Sequence, residues 1–334
     1  MSADGGLFSE GEFEEAFGDD HPDTSAPPPV AAPSAPQAAT PRASPIAFVA
    51  QPEKAPTWAE FSEGWALGLY RDPVFVGVFS GLVLGLLGVY VVLRRAVFVT
   101  AAVTQAAGLG VALAFLLGIQ LELDIPPVVG ALVTSLLATV VLGVRTDRLR
   151  LPRETLVGLT YLAASALAVL VGDRITQDSH DVSAILFGTA VLVRPGDLTL
   201  VATVGSLVVL LLLVMHRGFL FAGFDPESAR VHRLPVSLLD LALWVLIAVQ
   251  ASVSTRAIGA LPVFAFAVLP AMAALALAQR VRLALALAAV FGATAGGLGY
   301  LFAFFLEFPV GASQAVVATL LLLIALPVAR VRGR

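Results

Sequence analysis

Cysteine is absent from all 334 residues. That excludes disulfide frameworks, thiolate zinc sites and cysteine nucleophiles together. Lysine is nearly as scarce: the only one, Lys54, lies in a polar N-terminal stretch, so no G-x-x-x-x-G-K-[ST] phosphate loop can form. Any ATP-driven step therefore needs another chain. Charged residues are few, 13% against 58% hydrophobic, where a soluble domain carries about 25% and about 45–50%. Alternating out-in patterning over roughly ten residues is missing too, which excludes an outer-membrane barrel.

What the chain has instead is a series of apolar runs close to the ~20 residues that cross a bilayer. They are separated by Arg, Gly or Pro clusters, and the mean hydropathy is +0.91. The fold class expected is an all-α membrane protein, a polytopic bundle of about eight or nine transmembrane helices. The net charge of −4 is uninformative, because the acid is concentrated near the N-terminus.

Residues 1–57 form a different kind of polymer. The stretch to Asp23 is acidic, with Phe8, Phe13 and Phe17 among Glu10, Glu12, Glu14 and Glu15; Thr24 to Pro45 is almost entirely Ala, Pro, Ser, Thr and Gln. Such composition buries too little apolar area to offset the entropy of ordering, so a disordered tail is expected. The alternative is that its acidic-aromatic part docks on a partner or collects cations. It is not a signal peptide, having neither a basic n-region nor an apolar h-region. Residues 58–72 predict an interfacial helix, with Trp58, Phe61, Trp65 and Leu69 near one face.

Residues 73–329 carry the transmembrane domain. Nine spans are predicted, at Pro73–Leu93, Val97–Leu117, Pro126–Val144, Thr155–Val171, Leu198–Met215, Val236–Val253, Ile258–Ala278, Leu283–Phe305 and Ala312–Val328. Val182–Val193, short and interrupted by Gly188, predicts a broken or re-entrant helix needing protein cover. Every second connection is rich in Arg: Arg94 and Arg95, Arg145 to Arg153, Arg217 to Arg233, Arg280 and Arg282, then Arg330 to Arg334. The others hold Glu122 and Asp124, or Glu307; only Arg174 and Arg194 go against the pattern. The positive-inside rule makes the Arg-rich side cytoplasmic and, with nine spans, leaves the acidic N-terminus outside.

Polar groups in spans are candidate functional groups because of what they cost there. Thr100, Thr104 and Gln105 share roughly one face of the second span, and Gln250, Ser252, Ser254 and Thr255 cluster late in the sixth. Thr100, Thr104, Gln105 and Gln250 are candidates for a transport path. Their other role would be interhelical hydrogen bonding, at about 0.6 kcal/mol per contact. No catalytic residue set is evident, and no enzyme is expected. In the outer loop, His180 and Asp181, beside Asp178, suit a borderline divalent cation, or else a simply solvated histidine. Gly81, Gly85 and Gly88, and Gly292, Gly296, Gly297 and Gly299, belong to the small-residue class that lets helices approach closely.

Three stretches together resemble the permeases of the zinc/manganese ABC uptake family. The first runs from Gly85 through Arg94, Arg95 and Phe98 to Gln105-Ala-Ala-Gly-Leu-Gly-Val-Ala-Leu-Ala114 and looks like the family's glycine-rich span, paired-Arg turn and "His-Ala-Ala-x-x-Gly-Val-Ala" core. The second, Ile185-Leu-Phe-Gly188 with Arg194-Pro-Gly-Asp197, is similar to its "LFG…SPEDL" segment. The third runs from Gly223-Phe-Asp-Pro-Glu-Ser-Ala-Arg230 through Leu239-Asp240, Ile258-Gly259 and Ala267-Val-Leu-Pro-Ala271 to Leu306-Glu-Phe-Pro-Val-Gly311. Order and spacing carry the resemblance, which covers nearly all of residues 74–328.

The resemblance implies an importer permease of the vitamin-B12 type in the bacterial cytoplasmic (inner) membrane, moving zinc or manganese, with iron a further option. It binds no cofactor; the metal is cargo. The partners implied are a cytoplasmic ATPase dimer, an extracytoplasmic metal-binding protein and a second permease copy; no nucleic-acid partner is expected. A coupling stretch is implied after Pro270, through Met272 and Ala274 to Arg280 and Arg282, with Pro270 breaking the seventh span. The chain departs from the family at Ala101 and Gln105, where the family usually carries an Asp and a His in the metal path. An ion-coupled secondary transporter, an ABC permease for a non-metal substrate and a membrane scaffold are the alternatives.

Overall fold

A backbone in hydrocarbon must satisfy its own hydrogen bonds, and in this chain it does so through helices. The computed structural model describes residues 56–122, 125–143, 152–175, 193 and 196–331, and among these every regular element is helical. The acidic tail up to residue 55 and the Val182–Val193 segment, Val193 excepted, lie outside the described residues.

Helix α1 (Trp58–Ala66) is the expected interfacial element. A reciprocal cap starts it: the Thr57 hydroxyl accepts from the Glu60 N–H, and the Glu60 carboxylate accepts from the Thr57 N–H. Phe61 stacks on Tyr70 and meets Phe304 edge-on, and Trp58 packs on Phe305. These contacts bind α1 to the end of a later span.

Nine helices follow that match the nine expected spans one for one: α2 (Arg71–Leu93), α3 (Val97–Leu121), α4 (Pro127–Gly143), α5 (Arg153–Ile175), α6 (Asp197–Phe224), α8 (Val236–Ile258), α9 (Ala260–Leu277), α10 (Val281–Leu306) and α11 (Val310–Val331), with the short α7 (Pro226–Val231) between α6 and α8. Eight are long and apolar enough to cross a membrane. The exception, α4, has 17 residues and is about 26 Å long, short of the ~30 Å hydrocarbon core. Helix α6 continues past its expected end at Met215 to Phe224. The expected break at Pro270 does not occur: α9 runs unbroken from Ala260 to Leu277, with Pro270 buried inside it. A proline kinks or breaks a helix only where neighbours fail to re-satisfy the freed carbonyl.

Helix α2 is the hub. Val76, Val83, Leu84, Leu87, Val89 and Val91 are all at most 1% exposed, and α6, α8, α9 and α10 pack around it. Its tightest neighbour is α10. Gly77, Gly81 and Gly85 of α2 face Gly296, Gly292 and Ala288, backbone against backbone, and a methyl group at Gly81 would overlap the Gly292 carbonyl. With no hydrophobic drive between helices in lipid, such close packing is what holds them together.

Candidate functional site

Two ion pairs clamp α8, one at each end. At its start Asp240 pairs with Arg94, whose side chain is only 7% exposed. Arg94 also donates through Nη2 to the Phe219 carbonyl at 3.2 Å and lies 6.0 Å from the centre of the Phe219 ring. One buried guanidinium thus ties α2, α6 and α8 together. At the other end of α8, Arg256 pairs with Asp197 in the first turn of α6, both nearly buried.

Beside the Arg94–Asp240 pair opens a cavity of about 1090 Å³, walled by α3, α5, α6, α7, α8 and α9. Arg94, Arg95, Glu154, Arg230 and Asp240 give it a charged rim. Ala101, Tyr161, Trp244 and Phe264 form the wall further in. Its arginines belong to the connections that the positive-inside rule makes cytoplasmic. It opens toward that face and reaches into the bundle as far as Ala101 and Phe264.

Of the expected path residues, none lines this cavity, but the departure position Ala101 does. Gln105 sits four residues on, half-buried, and forms no hydrogen bond with a described residue. Thr100 is buried with an unpartnered hydroxyl, and the Thr104 hydroxyl donates to the Ala101 carbonyl of its own helix at 2.9 Å. Gln250 is fully buried: its amide donates to Ser254 Oγ at 3.0 Å, Ser254 bonds Ser80 of α2 at 3.2 Å, and the Gln250 Oε1 has no partner among the described residues. Ser252 likewise meets Ser135 of α4 at 2.8 Å. Ser80, Ser135, Trp244, Phe264 and Arg256 escaped the sequence reading; small hydroxyls and aromatics on apolar spans carry no signal of which neighbour they face.

His180 and Asp181 lie outside the described residues. Among the described residues no group of three or more His, Cys, Asp or Glu side chains is placed to hold a metal ion. Pro270 and Ala274 are buried in α9, Met272 is 40% exposed within the same span, and Arg280 and Arg282 are exposed at the α9–α10 turn. The element that stands out from the spans on the Arg-rich side is α7. Asp225 caps it, Oδ1 accepting from the Ser228 N–H at 2.9 Å; the Ser228 hydroxyl first and its backbone N–H second hold the Asp225 carboxyl below its usual range. Pro226 follows the cap, Ala229 packs inward, and Val231 is 81% exposed.

The Arg94–Asp240 pair makes a direct test of this geometry. Removing one partner of a buried pair costs about 3–5 kcal/mol; the pair lies at the cavity rim and the long stem of Arg94 lets its head turn toward water, which offsets part of that. We expect Asp240→Ala to lower stability by about 1–3 kcal/mol, read as a drop in Tm in nanodiscs, and Asp240→Asn to do less. An unchanged Tm for both would mean that the pair does not hold these helices.

The sequence profile of the ABC 3 transport family matches residues 69–329. The manganese transport system membrane protein MntC of Listeria innocua is 26% identical over 258 residues, 77% of this chain and 90% of that protein. The chelated iron transport system membrane protein YfeD of Yersinia pestis is 28% identical over 265 residues, 79% and 87% of the two chains. Among solved structures, PsaBC from Streptococcus pneumoniae in complex with Fab includes a chain 25% identical to this one, with a TM-score of 0.73, covering 83% of this chain and all of that one.

Proposed function

The chain belongs to the ABC 3 transport family, and from that premise we propose that it is the multi-pass permease of an importer carrying a divalent metal ion across the bacterial inner membrane. Manganese and iron stand ahead of zinc as cargo, because the relatives that match over most of their length are named for manganese and chelated iron transport. The observation that carries the proposal is the cavity at Ala101, which opens on the Arg-rich face where an imported ion would leave. Its wall offers neutral groups and no tight ligand set, in keeping with an ion that must be released after it is bound.

ATP hydrolysis falls to a separate ATPase dimer, and an extracytoplasmic protein delivers the metal to a pair of permease copies. The ATPase contact is best assigned to α7, with Arg230 and the exposed Val231. Pro270, Met272 and Ala274 lie within a span, and so act, if at all, by shaping α9. Arg280 and Arg282 remain at the cytoplasmic surface.

The test is uptake of manganese into proteoliposomes that hold this chain with its ATPase, with the binding protein outside. Saturable ATP-dependent uptake is expected, with iron competing more strongly than zinc. Ala101→Trp, which narrows the cavity at its inner wall, should cut uptake at least about tenfold, a barrier of about 1.4 kcal/mol or more, while the protein still extracts and folds. Absence of ATP-dependent uptake of manganese, iron or zinc would sink the metal-importer reading. Full uptake by Ala101→Trp would move the path away from this cavity.

A further inference from the structure

A second groove, about 670 Å³, lies between the cytoplasmic ends of α6 and α10. Arg217, Arg280 and Arg282 surround it, all exposed, and no carboxylate lines it. None of the three arginines has an ion-pair partner among the described residues. Its floor is apolar: Leu220, Phe221, Phe224 and Val281. His216, at its edge, is fixed to α2 by a 2.7 Å hydrogen bond with the Tyr90 hydroxyl.

The chemistry changes sharply along the helix axis. One turn from Arg217 toward the bilayer, Leu213 and Val214 are 69% and 74% exposed, and beside Arg282 Leu283 is 48% exposed. Three unpaired cations at headgroup level thus stand directly over bare apolar helix faces. An acidic protein segment would satisfy the cations and leave those faces uncovered. A glycerophospholipid satisfies both, its phosphate among the arginines and its acyl chains along α6 and α10. Basic pockets between spans on the cytoplasmic side bind anionic headgroups.

We propose that this groove is a binding site for the phosphodiester headgroup of an anionic phospholipid of the cytoplasmic leaflet. The lipid bridges α6 and α10, both of which pack on α2. Each guanidinium can pair bidentately with phosphate oxygens.

The test is native mass spectrometry of the purified full chain titrated with palmitoyl-oleoyl phosphatidylglycerol and, separately, with the phosphatidylcholine of the same chains. Phosphatidylglycerol should bind at least about tenfold tighter. The triple variant R217Q/R280Q/R282Q should bring the two lipids to parity while melting like the parent; R217K/R280K/R282K, with charge kept, should retain part of the preference. An unchanged preference in the glutamine variant overturns the site. So does displacement of the lipid by millimolar inorganic phosphate, which would mark a free-anion site. Weakened association with the ATPase in the glutamine variant, with lipid preference intact, would assign the groove to that partner instead.

Discussion

Gly292→Val should leave little protein that extracts as a monodisperse species. A Cβ at position 292 would overlap the carbonyl group of Gly81, and one at Gly81 would overlap that of Gly292. The obstacle in each case is backbone, which cannot move aside as a side chain can. The two helices must separate, and the neighbouring contacts of Gly77 with Gly296 and Gly85 with Ala288 open with them. Overpacking against movable side chains costs about 1–3 kcal/mol; here the cost lies at or above that range, against a total stability of about 5–15 kcal/mol. The buried Gln314 amide, which donates to the Gly296 carbonyl at 3.1 Å, loses its place too. A fall in Tm of roughly 6–12 °C is expected in whatever survives extraction. Gly143→Val is the control, because a Cβ there meets no described atom; it should behave as the parent. Parent-like elution and melting of Gly292→Val would show that α2 and α10 are not in backbone contact.

The span pattern was legible because hydrocarbon thickness dictates the length of apolar runs, and each predicted run became one helix. The reversals were less so. Arg95, Glu122, Arg233 and Glu307 all take the left-handed conformation, φ between 52° and 58°, that glycine usually supplies. With charged residues there, the sequence gives no stop signal. After α2 the reversal is closed by the Ala96 N–H bonding the Val91 carbonyl at 3.1 Å, which fits a Schellman motif.

Glycine spacing identified which helices could pack closely but not which partner each would choose. The pairing of Gly81 with Gly292 spans most of the chain. The site was least legible. Spans apolar on every side have no amphipathic signal to orient them, so polar residues marked positions without marking faces. Gln250 and Thr104 donate within their own helices, while the cavity wall combines Ala101, marked in the sequence only as a departure from the family, with Trp244 and Phe264, which read as ordinary packing residues. Arg94 and Asp240 were each visible as charges at span ends; their pairing required the fold.

Arg256→Ala should be the most damaging of the charge removals. It takes the Arg256 guanidinium away from Asp197, a short side chain 8% exposed, and a group that short cannot reach water by bending. The loss expected is about 3–5 kcal/mol. Asp197→Ala should cost less, about 2–3 kcal/mol, because the long stem of Arg256 lets its head snorkel toward the surface. Each residue also sits at the helix end that favours its charge, Asp197 at the start of α6 and Arg256 at the end of α8, so neither is easily neutralised. The double variant, which removes both charges of the pair, should be more stable than Arg256→Ala alone. Tm values of the four proteins in nanodiscs close the cycle, with a coupling of at least about 1.5 kcal/mol expected. Simple additivity would mean that the pair contributes nothing beyond its separate parts. Coupling at this end, with Arg94–Asp240 holding the other, would make α8 a strut fixed at both faces.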